Sequence, residues 1–204
     1  MFRIAGLILA AGGSTRMGRP KQILQVGGRS LLRRAAEAGA NTACCPLVVV
    51  LGAHAELLKG ELSGIPAEIA INLNWERGIG SSIRCGIQHL VDRALPLEAV
   101  LISLCDQPLV SDAAFRRLIT AHRLSGRSVT VSTFGDTLGP PVVVGAEHFP
   151  SLLSLPDGIG AKHLWESSST QVERVSCPES DVDVDTPEDY ARIVRAMEEY
   201  ASIE

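Results

Sequence analysis

Short apolar runs rich in valine, isoleucine and leucine recur along the chain, and each ends where small or polar residues begin. Runs of this length with apolar residues at consecutive positions are typical of strands in a parallel sheet, because both faces of such a sheet are covered. We therefore predict strands at Ile4–Ala10, Pro46–Leu51, Ala67–Asn72, Ala99–Leu104, Ser128–Thr133, Val142–Val144 and Gln171–Val175.

Segments between these runs place apolar residues at helical spacing, as Ile83, Ile87 and Leu90 do. Such spacing predicts helices with one buried face. Serines or threonines at the N-cap position mark where three of them begin. Three helices are predicted to begin after a cap: one from Ser30 through Asn41, one from Ser111 to about Leu124, and one after Thr186, where Pro187 and two acids follow. Three further helices are predicted at His54–Lys59, Ser81–Arg93 and Ala161–Ser167.

The alternation of strands and helices predicts an α/β fold. We expect a single domain over residues 1–204, built as a three-layer α/β/α sandwich around a mostly parallel, Rossmann-like sheet. Ligands of such sheets bind outside the carboxyl ends of the strands. The loop after Ala10 and the polar step at Asp106 both lie at such ends, so we expect the functional site there.

Composition excludes several classes of function. The 204 residues are 46% hydrophobic and carry a net charge of −4, and only 4% are aromatic. Neither a polyanion-binding surface nor aromatic platforms for nucleic acid are expected. No apolar run approaches the length of a membrane span, and the N-terminus is interpreted as a core strand instead of a signal peptide. Five cysteines without a CxxC pair indicate reduced thiols in a cytoplasmic protein.

The loop after the first strand, AGGSTRMGRPK, combines glycines with three basic side chains. Gly12 and Gly13 allow backbone N–H groups to approach an anion, and Arg16 and Lys21 add full charges for phosphate oxygens. The spacing fits neither the P-loop nor the dinucleotide-binding glycine pattern. The alternative is a strand-to-helix turn whose basic residues are merely solvated.

Five motifs in order resemble one family. The stretch Leu9–Lys21 resembles the signature L-A-[AG]-G-x-S-x-R-M-G-x-x-K of the MobA-like nucleotidyltransferase superfamily. Four further stretches resemble the molybdenum cofactor cytidylyltransferase branch of that superfamily: Asn74–Ser82, Leu104–Pro108, Gly139–Pro141 and Asp183–Asp189. The resemblance covers most of the chain.

The resemblance implies a fold of the nucleotide-diphospho-sugar transferase type and transfer of CMP from CTP to molybdopterin-bound molybdenum cofactor. It implies catalytic roles for Arg16, Lys21 and Asp106, and Mg²⁺ held by Asp106 and Asp185. A molybdenum hydroxylase apoenzyme is an implied partner. It also implies nucleotide contacts from Leu9, Ala10, Ala11, Gly12, Gly13, Ser14, Arg16, Lys21, Asn74, Gly78, Ser81 and Ser82.

Some residues keep two interpretations. Asp106 ends a buried strand, where an unpaired carboxylate is costly, so a ligand role is favoured over a structural one. Asp185 is either a second metal ligand or part of a solvated strand face. Trp75 either stacks on a base or a pterin, or packs on the core. Ser81 either contacts the nucleotide or is only an N-cap.

The acceptor is the least constrained part of the prediction. The family often carries G-D-x-G-A-R in its later part, whereas this chain has Asp157-Gly158-Ile159-Gly160-Ala161-Lys162. Transfer to a sugar or polyol phosphate is therefore an alternative. A non-catalytic carrier or maturation factor for molybdenum cofactor is another. For the base, guanylyltransferases resemble L-A-G-G where this chain has Ala11, so the resemblance favours cytosine.

Overall fold

The computed structural model describes residues 3–166 and 171–201. Its central sheet consists of β1 (Arg3–Ala10), β4 (Leu47–Leu51), β5 (Glu68–Ile71), β6 (Leu97–Leu104), β7 (Val129–Phe134), β8 (Thr137–Gly145) and β9 (Val172–Ser176). A separate two-stranded hairpin is formed by β2 (Gln25–Val26) and β3 (Arg29–Ser30). The helices are α1 (Leu31–Ala40), α2 (Ala55–Leu58), α3 (Ile79–Asp92), α4 (Asp112–Ser125), α5 (Phe149–Leu153), α6 (His163–Glu166) and α7 (Pro187–Ala201).

The strand order of the sheet is β5-β4-β1-β6-β8-β7-β9. All neighbours pair in parallel except β8, which runs antiparallel to both β6 and β7. Helices cover both faces, so the predicted three-layer α/β/α architecture with a mostly parallel sheet is confirmed. In the part of the chain that the structure describes, no helix is both long and apolar enough to cross a bilayer.

The alternation of side chains along β1 divides the core into two layers. Ile4 and Ile8 face one layer, where they pack with α1 and α4 through residues such as Leu32 and Phe115. Leu7 faces the other layer, which α3 and α5 complete. Because β1 is buried on both sides, its carboxyl end is held firmly where the glycine-bearing loop begins.

A third, smaller cluster lies outside the sheet. Met17, Val26, Leu31, Val184 and Ile193 join the glycine-bearing loop, the β2–β3 hairpin and α7. The hydroxyl of Tyr190 donates to the carbonyl of Gln25 at 2.8 Å. The final helix α7 therefore packs on the hairpin that follows the glycine-bearing loop.

Several predicted boundaries are corrected. The predicted strand Val142–Val144 extends over Thr137–Gly145, and the pairing register with β7 shifts where Pro140 and Pro141 lack donors for the ladder. Ser111 precedes α4, but its side chain makes no capping hydrogen bond. The helix predicted at Ala161–Ser167 spans His163–Glu166, and Ser167 lies outside the described residues.

Other local predictions are confirmed. Ser30 caps α1 by accepting a hydrogen bond from the N–H of Arg33. At the start of α7, the Thr186 hydroxyl donates to Asp189 at 2.8 Å, and the N–H of Asp189 lies 3.2 Å from the Thr186 oxygen. This reciprocal capping fixes the backbone immediately after Asp185.

Candidate active site

A cavity of about 370 Å³ opens at the carboxyl ends of β1 and β6. The loop after β1, the short helical turn at Lys21–Ile23, the start of α3 and the step after β6 form its walls. Ten of the predicted site residues line it: Leu9, Ala10, Ala11, Gly12, Gly13, Ser14, Lys21, Gly78, Ser82 and Asp106. A neighbouring cavity of about 240 Å³ is lined by Gly12, Ser14, Thr15, Arg16, Lys21 and Asp185.

Gln22 holds the glycine-bearing loop in shape. Its side chain is only 1% exposed. Its amide Nε2 donates to the carbonyl of Ala10 at 3.1 Å and to that of Gly12 at 2.7 Å. Its Oε1 accepts from the Ser14 hydroxyl at 3.2 Å, and the Ser14 oxygen in turn accepts from the N–H of Lys21. The sequence analysis did not single out Gln22, although a glutamine beside an otherwise basic, glycine-bearing loop was the available signal.

The loop's backbone polarity suits an anion. Protein donors already occupy the carbonyl oxygens of Ala10 and Gly12, and the carbonyl of Ala11 accepts from the N–H of Ala53 at 3.0 Å. With these carbonyl oxygens already bonded, the loop is suited to an anion, since N–H groups in a turn favour negative charge.

Trp75 packs beside this loop and lines the same cavity. A Cβ on Gly13 would lie 2.8 Å from the Trp75 ring, and one on Gly52 would lie 2.6 Å from the Trp75 Cβ. Glycine is therefore required at both positions for the half-buried indole to fit. Trp75 thus both packs against the loop and lines the cavity, and base stacking by Trp75 stays a prediction.

Lys21 joins two carboxylates at the mouth of the cavity. Its Nζ lies 2.6 Å from Asp106 Oδ2 and 2.7 Å from Asp185 Oδ1. Because both oxygens lie within 2.7 Å of the same Nζ atom, the two carboxylates meet at one point, as predicted for a shared site. Burial opposes the charge on Lys21, but the field of Asp106 and hydrogen bonds to both carboxylates outweigh it and raise the pKa of Lys21. Lys21 is therefore a permanent cation at neutral pH.

Arg16 extends the cluster towards solvent. Its Nη1 lies 3.3 Å from Asp185 Oδ2, and its side chain is 75% exposed. A long, exposed pair of this kind is weak, so Arg16 can leave Asp185 at little cost. The side chain is free to turn towards a ligand in the smaller of the two cavities.

Asp106 has one satisfied oxygen and one unsatisfied oxygen. The carboxylate side chain is 16% exposed. Its Oδ1 is buried and has no hydrogen-bond partner within residues 3–166 and 171–201. The backbone around it is fixed, since the Asp106 carbonyl accepts from the N–H of Val184 at 2.9 Å. An unpaired buried carboxylate oxygen is costly, which makes it a site for a ligand that supplies positive charge.

A third carboxylate, Asp183, lies within range of the charges of Asp106 and Asp185 and was not among the predicted site residues. Partial loss of hydration raises its pKa to about 6, and the charges of Asp106 and Asp185 act in the same direction. The nearby amide of Gln107 and the charge of Lys21 oppose the shift. Loss of hydration is thus the largest cause of this shift, and the two neighbouring carboxylates add to it.

Asn74 and Ser81 do not line the main cavity. Ser81 is buried, and its hydroxyl lies 2.7 Å from the carbonyl of Gly78 and 3.0 Å from that of Asn74. The buried amide of Asn72 donates to both Ser81 and Ser82. These contacts hold the loop that precedes α3. The interpretation of Ser81 as an N-cap is wrong, because α3 begins at Ile79 after Gly78.

Comparison with known proteins identifies the family of this chain. The family described as the MobA-like NTP transferase domain matches residues 6–174. The chain belongs to the MobA-like NTP transferase family. Nicotine blue oxidoreductase of Paenarthrobacter nicotinovorans is 32% identical to this NTP transferase over 201 residues, covering 94% of this chain and 96% of the relative.

Two solved structures are also similar to this NTP transferase. A homolog of Mycobacterium tuberculosis rv0371c from Mycobacterium sp. strain JC1 has a TM-score of 0.82 and 27% identity, covering 97% of this chain and 98% of that one. Rv0371C of Mycobacterium tuberculosis in complex with manganese has a TM-score of 0.74 and 26% identity, covering 95% and 98%.

The carboxylates of this NTP transferase fit a divalent cation of the Mg²⁺ type. Within the described residues there is no group of three or more histidine, cysteine, aspartate or glutamate side chains arranged as a complete metal site. Mg²⁺, however, is usually held by one or two carboxylates together with substrate phosphates. The unpaired Oδ1 of Asp106, with Asp185 nearby, matches that donor set.

Proposed function

We propose that this NTP transferase transfers CMP from CTP to the phosphate of a molybdopterin-type acceptor. An oxygen of the acceptor phosphate bonds to the α-phosphorus of CTP, the bond between the α-phosphorus and its bridging oxygen to the β-phosphate breaks, and pyrophosphate leaves with that oxygen. The products are a cytidine dinucleotide and pyrophosphate. Membership of the NTP transferase family supports the reaction class, and the motifs described above support this choice of base and acceptor.

The observation that carries the proposal is the cluster of Lys21, Asp106 and Asp185 at the mouth of a cavity whose loop carbonyls are occupied. Lys21 offers a fixed positive charge beside the backbone N–H groups of the loop. A fixed charge aimed where negative charge develops lowers the barrier without reorganisation during the reaction. We expect Lys21 and Arg16 to bind triphosphate oxygens.

The nucleophile needs no base from the protein. The second pKa of a phosphate monoester is about 6, so an acceptor phosphate is largely ionised at neutral pH. The protein's task is therefore to position two phosphates and to neutralise the departing one. This accords with a cavity whose charged lining residues are Lys21, Glu76 and Asp106, without an obvious general base for the phosphate.

We propose Mg²⁺ as the cation that Asp106 and Asp185 hold together with the triphosphate. When bound, a divalent cation supplies charge neutralisation at the phosphate oxygens. The manganese complex of Rv0371C supports a divalent cation in a related protein. In this chain, Lys21 keeps the two carboxylates together and so orients the donor atoms.

Ala11 supports cytosine as the base. It is 4% exposed and lines the main cavity. Its methyl group occupies space that a glycine would leave open to a base edge. We therefore expect CTP to be used well and GTP poorly.

The test is a pyrophosphate-release assay with CTP or GTP at matched Mg²⁺. The acceptor is a molybdopterin-loaded protein extract or a sugar or polyol phosphate. Release with CTP and the molybdopterin acceptor is the expected result. Release with a sugar or polyol phosphate instead would support the alternative acceptor. Tight binding without pyrophosphate release from any nucleotide would indicate a carrier, and equal turnover of CTP and GTP would contradict the role given to Ala11.

We also propose hand-over of the product to a molybdenum hydroxylase apoenzyme in the cytoplasm. All five cysteines are unpaired, which accords with a reducing compartment. Co-purification of such an apoenzyme with the full chain, dependent on CTP and acceptor, is the expected observation.

A further inference from the structure

Gln107 follows Asp106 directly along the chain and lies deep in the fold, where it is only 4% exposed. Its amide Nε2 donates to the carbonyl of Pro140 at 3.3 Å and to the carbonyl of Ser180 at 3.1 Å. One buried side chain therefore joins three segments that are distant along the chain: the step after β6, the strand β8, and the short helical turn at Pro178–Asp181.

The contact with β8 falls where the sheet is irregular. The ladder between β8 and β7 skips Pro140 and Pro141, and the ladder between β8 and β6 begins at Val142. Prolines have no N–H to contribute to either ladder. The hydrogen bond from Gln107 to the first of these prolines therefore fastens the step after β6 to β8 beyond the point where regular strand pairing does so.

The second hydrogen bond of Gln107 holds the segment that carries Asp185. The turn that Gln107 contacts lies shortly before Asp185, and between them the N–H of Val184 donates to the carbonyl of Asp106 at 2.9 Å. These two hydrogen bonds lay the segment before α7 along the step after β6. The alignment of the two segments determines where the carboxylates of Asp106 and Asp185 meet.

The orientation of the Gln107 amide follows from its neighbours. Both contacts are carbonyl oxygens, which only accept hydrogen bonds, so the nitrogen of the amide must face them. The amide oxygen Oε1 is buried and has no hydrogen-bond partner among residues 3–166 and 171–201. An unpaired buried oxygen is costly, and a methionine of similar size would avoid it. The contribution specific to glutamine is therefore the pair of N–H donors that joins the segments.

We propose that Gln107 is a positioning residue for the cation site, because it sets the separation of the Asp106 and Asp185 carboxylates. The proposal rests on the proposed function, in which these carboxylates hold a divalent cation together with the triphosphate. Mg²⁺ demands near-ideal octahedral geometry at short distances, so its carboxylate ligands tolerate little displacement. The glycine-bearing loop is held by Gln22 instead, so loss of Gln107 should weaken cation binding more than nucleotide binding.

The test uses Gln107→Met in the full chain, which keeps the size of the side chain and removes both donors. Mn²⁺ affinity in the presence of a non-hydrolysable CTP analogue, measured by electron paramagnetic resonance, should fall roughly ten-fold, as for loss of a hydrogen bond that orients metal ligands. Affinity for the analogue without divalent cation, measured by calorimetry, should stay as in the wild type. Gln88→Met, on the exposed part of α3, is the matched control and should change neither affinity.

A double substitution tests whether Gln107 acts through Asp185. In the Asp185→Asn background, Gln107→Met should cause little further loss of Mn²⁺ affinity, because the carboxylate that Gln107 positions is no longer present. Residues that act through one another show such non-additive effects. Losses that add in full would overturn the positioning role.

A second variant guards against a purely structural effect. Gln107→Asn keeps the amide but is one methylene shorter, so it should show the same selective loss of Mn²⁺ affinity. Unchanged Mn²⁺ affinity in both variants would overturn the proposal. A parallel fall of Mn²⁺ affinity and nucleotide affinity would overturn it as well, since that pattern indicates general destabilisation of the fold.

The positioning role and the transfer reaction can fail separately. A selective loss of Mn²⁺ affinity in Gln107→Met, without pyrophosphate release from any nucleotide by the wild type, would reject the transfer reaction and leave the positioning role standing. Pyrophosphate release by Gln107→Met with the wild-type rate and the wild-type Mg²⁺ dependence would reject the positioning role and leave the transfer reaction standing.

Discussion

Asp106 and Asp157 both lie near the start of α3 and both pair with basic residues, but their oxygens are satisfied to different extents. Each oxygen of Asp157 has an arginine, Arg77 on one and Arg84 on the other. Asp106 has Lys21 on one oxygen, and the other is buried without a partner.

The difference separates a structural carboxylate from one available for chemistry. A carboxylate with both oxygens occupied and with its backbone carbonyl bound to Gly80 holds a loop in place. A carboxylate with a buried oxygen that lacks a partner is energetically unfavourable, and a bound cation would remove that penalty. We therefore expect substitutions at the two aspartates to affect different measurements.

The largest effect is expected for Asp106→Asn. The change removes the charge that Lys21 and the proposed cation share, so pyrophosphate release should fall by about 10³-fold, the upper end for loss of a principal electrostatic group. The folded state should persist, because removing the charge also relieves its burial. Release near the wild-type rate would show that Asp106 is as structural as Asp157.

Lys21→Ala should have the next largest effect. One charge-assisted contact in a transition state is worth about 3–4 kcal/mol, or roughly 10²–10³ in rate, so kcat/KM should fall by that factor. Lys59→Ala is the matched control, since Lys59 makes an exposed pair with Glu56. A similar small loss in both variants would contradict a phosphate-binding role for Lys21.

Gln22→Glu should have an intermediate effect. The carboxylate keeps the size of the side chain but places oxygen against the carbonyls of Ala10 and Gly12, where the amide now donates. Losing a buried hydrogen-bonding partner costs about 1–3 kcal/mol, so CTP affinity should fall roughly ten-fold or more. Acceptor affinity should stay unchanged. Gln88→Glu, on the exposed part of α3, serves as the control.

Asp157→Asn should have the smallest effect on catalysis and a detectable effect on stability. Hydrogen bonding from Arg84, with a further contribution from Arg77, lowers the pKa of Asp157. Its contribution to stability is therefore complete above the ordinary pKa of 3.8 and is lost as the pH falls through the lowered value. At pH 7 the variant's Tm should fall by about two degrees or less, as expected for an exposed pair.

The pH series tests that sign. The difference in Tm between wild type and Asp157→Asn should shrink as the pH falls below 3.8. A difference that grows in acid would contradict the assignment of the lowered pKa to this ion pair.

The apolar pattern predicted the buried strands because the side chains on both faces of each strand are apolar. It missed the full extent of β8, since Gly139, Pro140 and Pro141 read as a turn and only the register shift against β7 accommodates them. The start of α3 was misplaced because Ser81 resembles a cap. Tertiary contact decides that boundary: Gly78 has φ of 111°, and a Cβ there would lie 2.7 Å from the carbonyl of Asp157.

The candidate site divides in the same way. The site residues around Gly12 and Lys21 could be predicted from the sequence, because glycines and basic side chains in one loop indicate an anion-binding site. The role of Gln22 depends on how its own loop folds, since its partners are the carbonyls of Ala10 and Gly12. The role of Asp183 depends on Asp106, which is far away along the chain. The proximity of Asp106 and Asp185 was implied by the resemblance, and in the structure it accompanies packing of α7 on the β2–β3 hairpin.

The most direct test of the central claim is Mn²⁺ binding in the presence of a non-hydrolysable CTP analogue, followed by electron paramagnetic resonance. Wild type and Asp157→Asn should bind one Mn²⁺ with equal affinity, and Asp185→Asn should bind it more weakly. With Asp106→Asn, Mn²⁺ should be bound no more tightly than by the free CTP analogue without protein. Undiminished Mn²⁺ binding by Asp106→Asn, or a loss in Asp157→Asn as large as that in Asp106→Asn, would contradict the assignment of the cation site to Asp106.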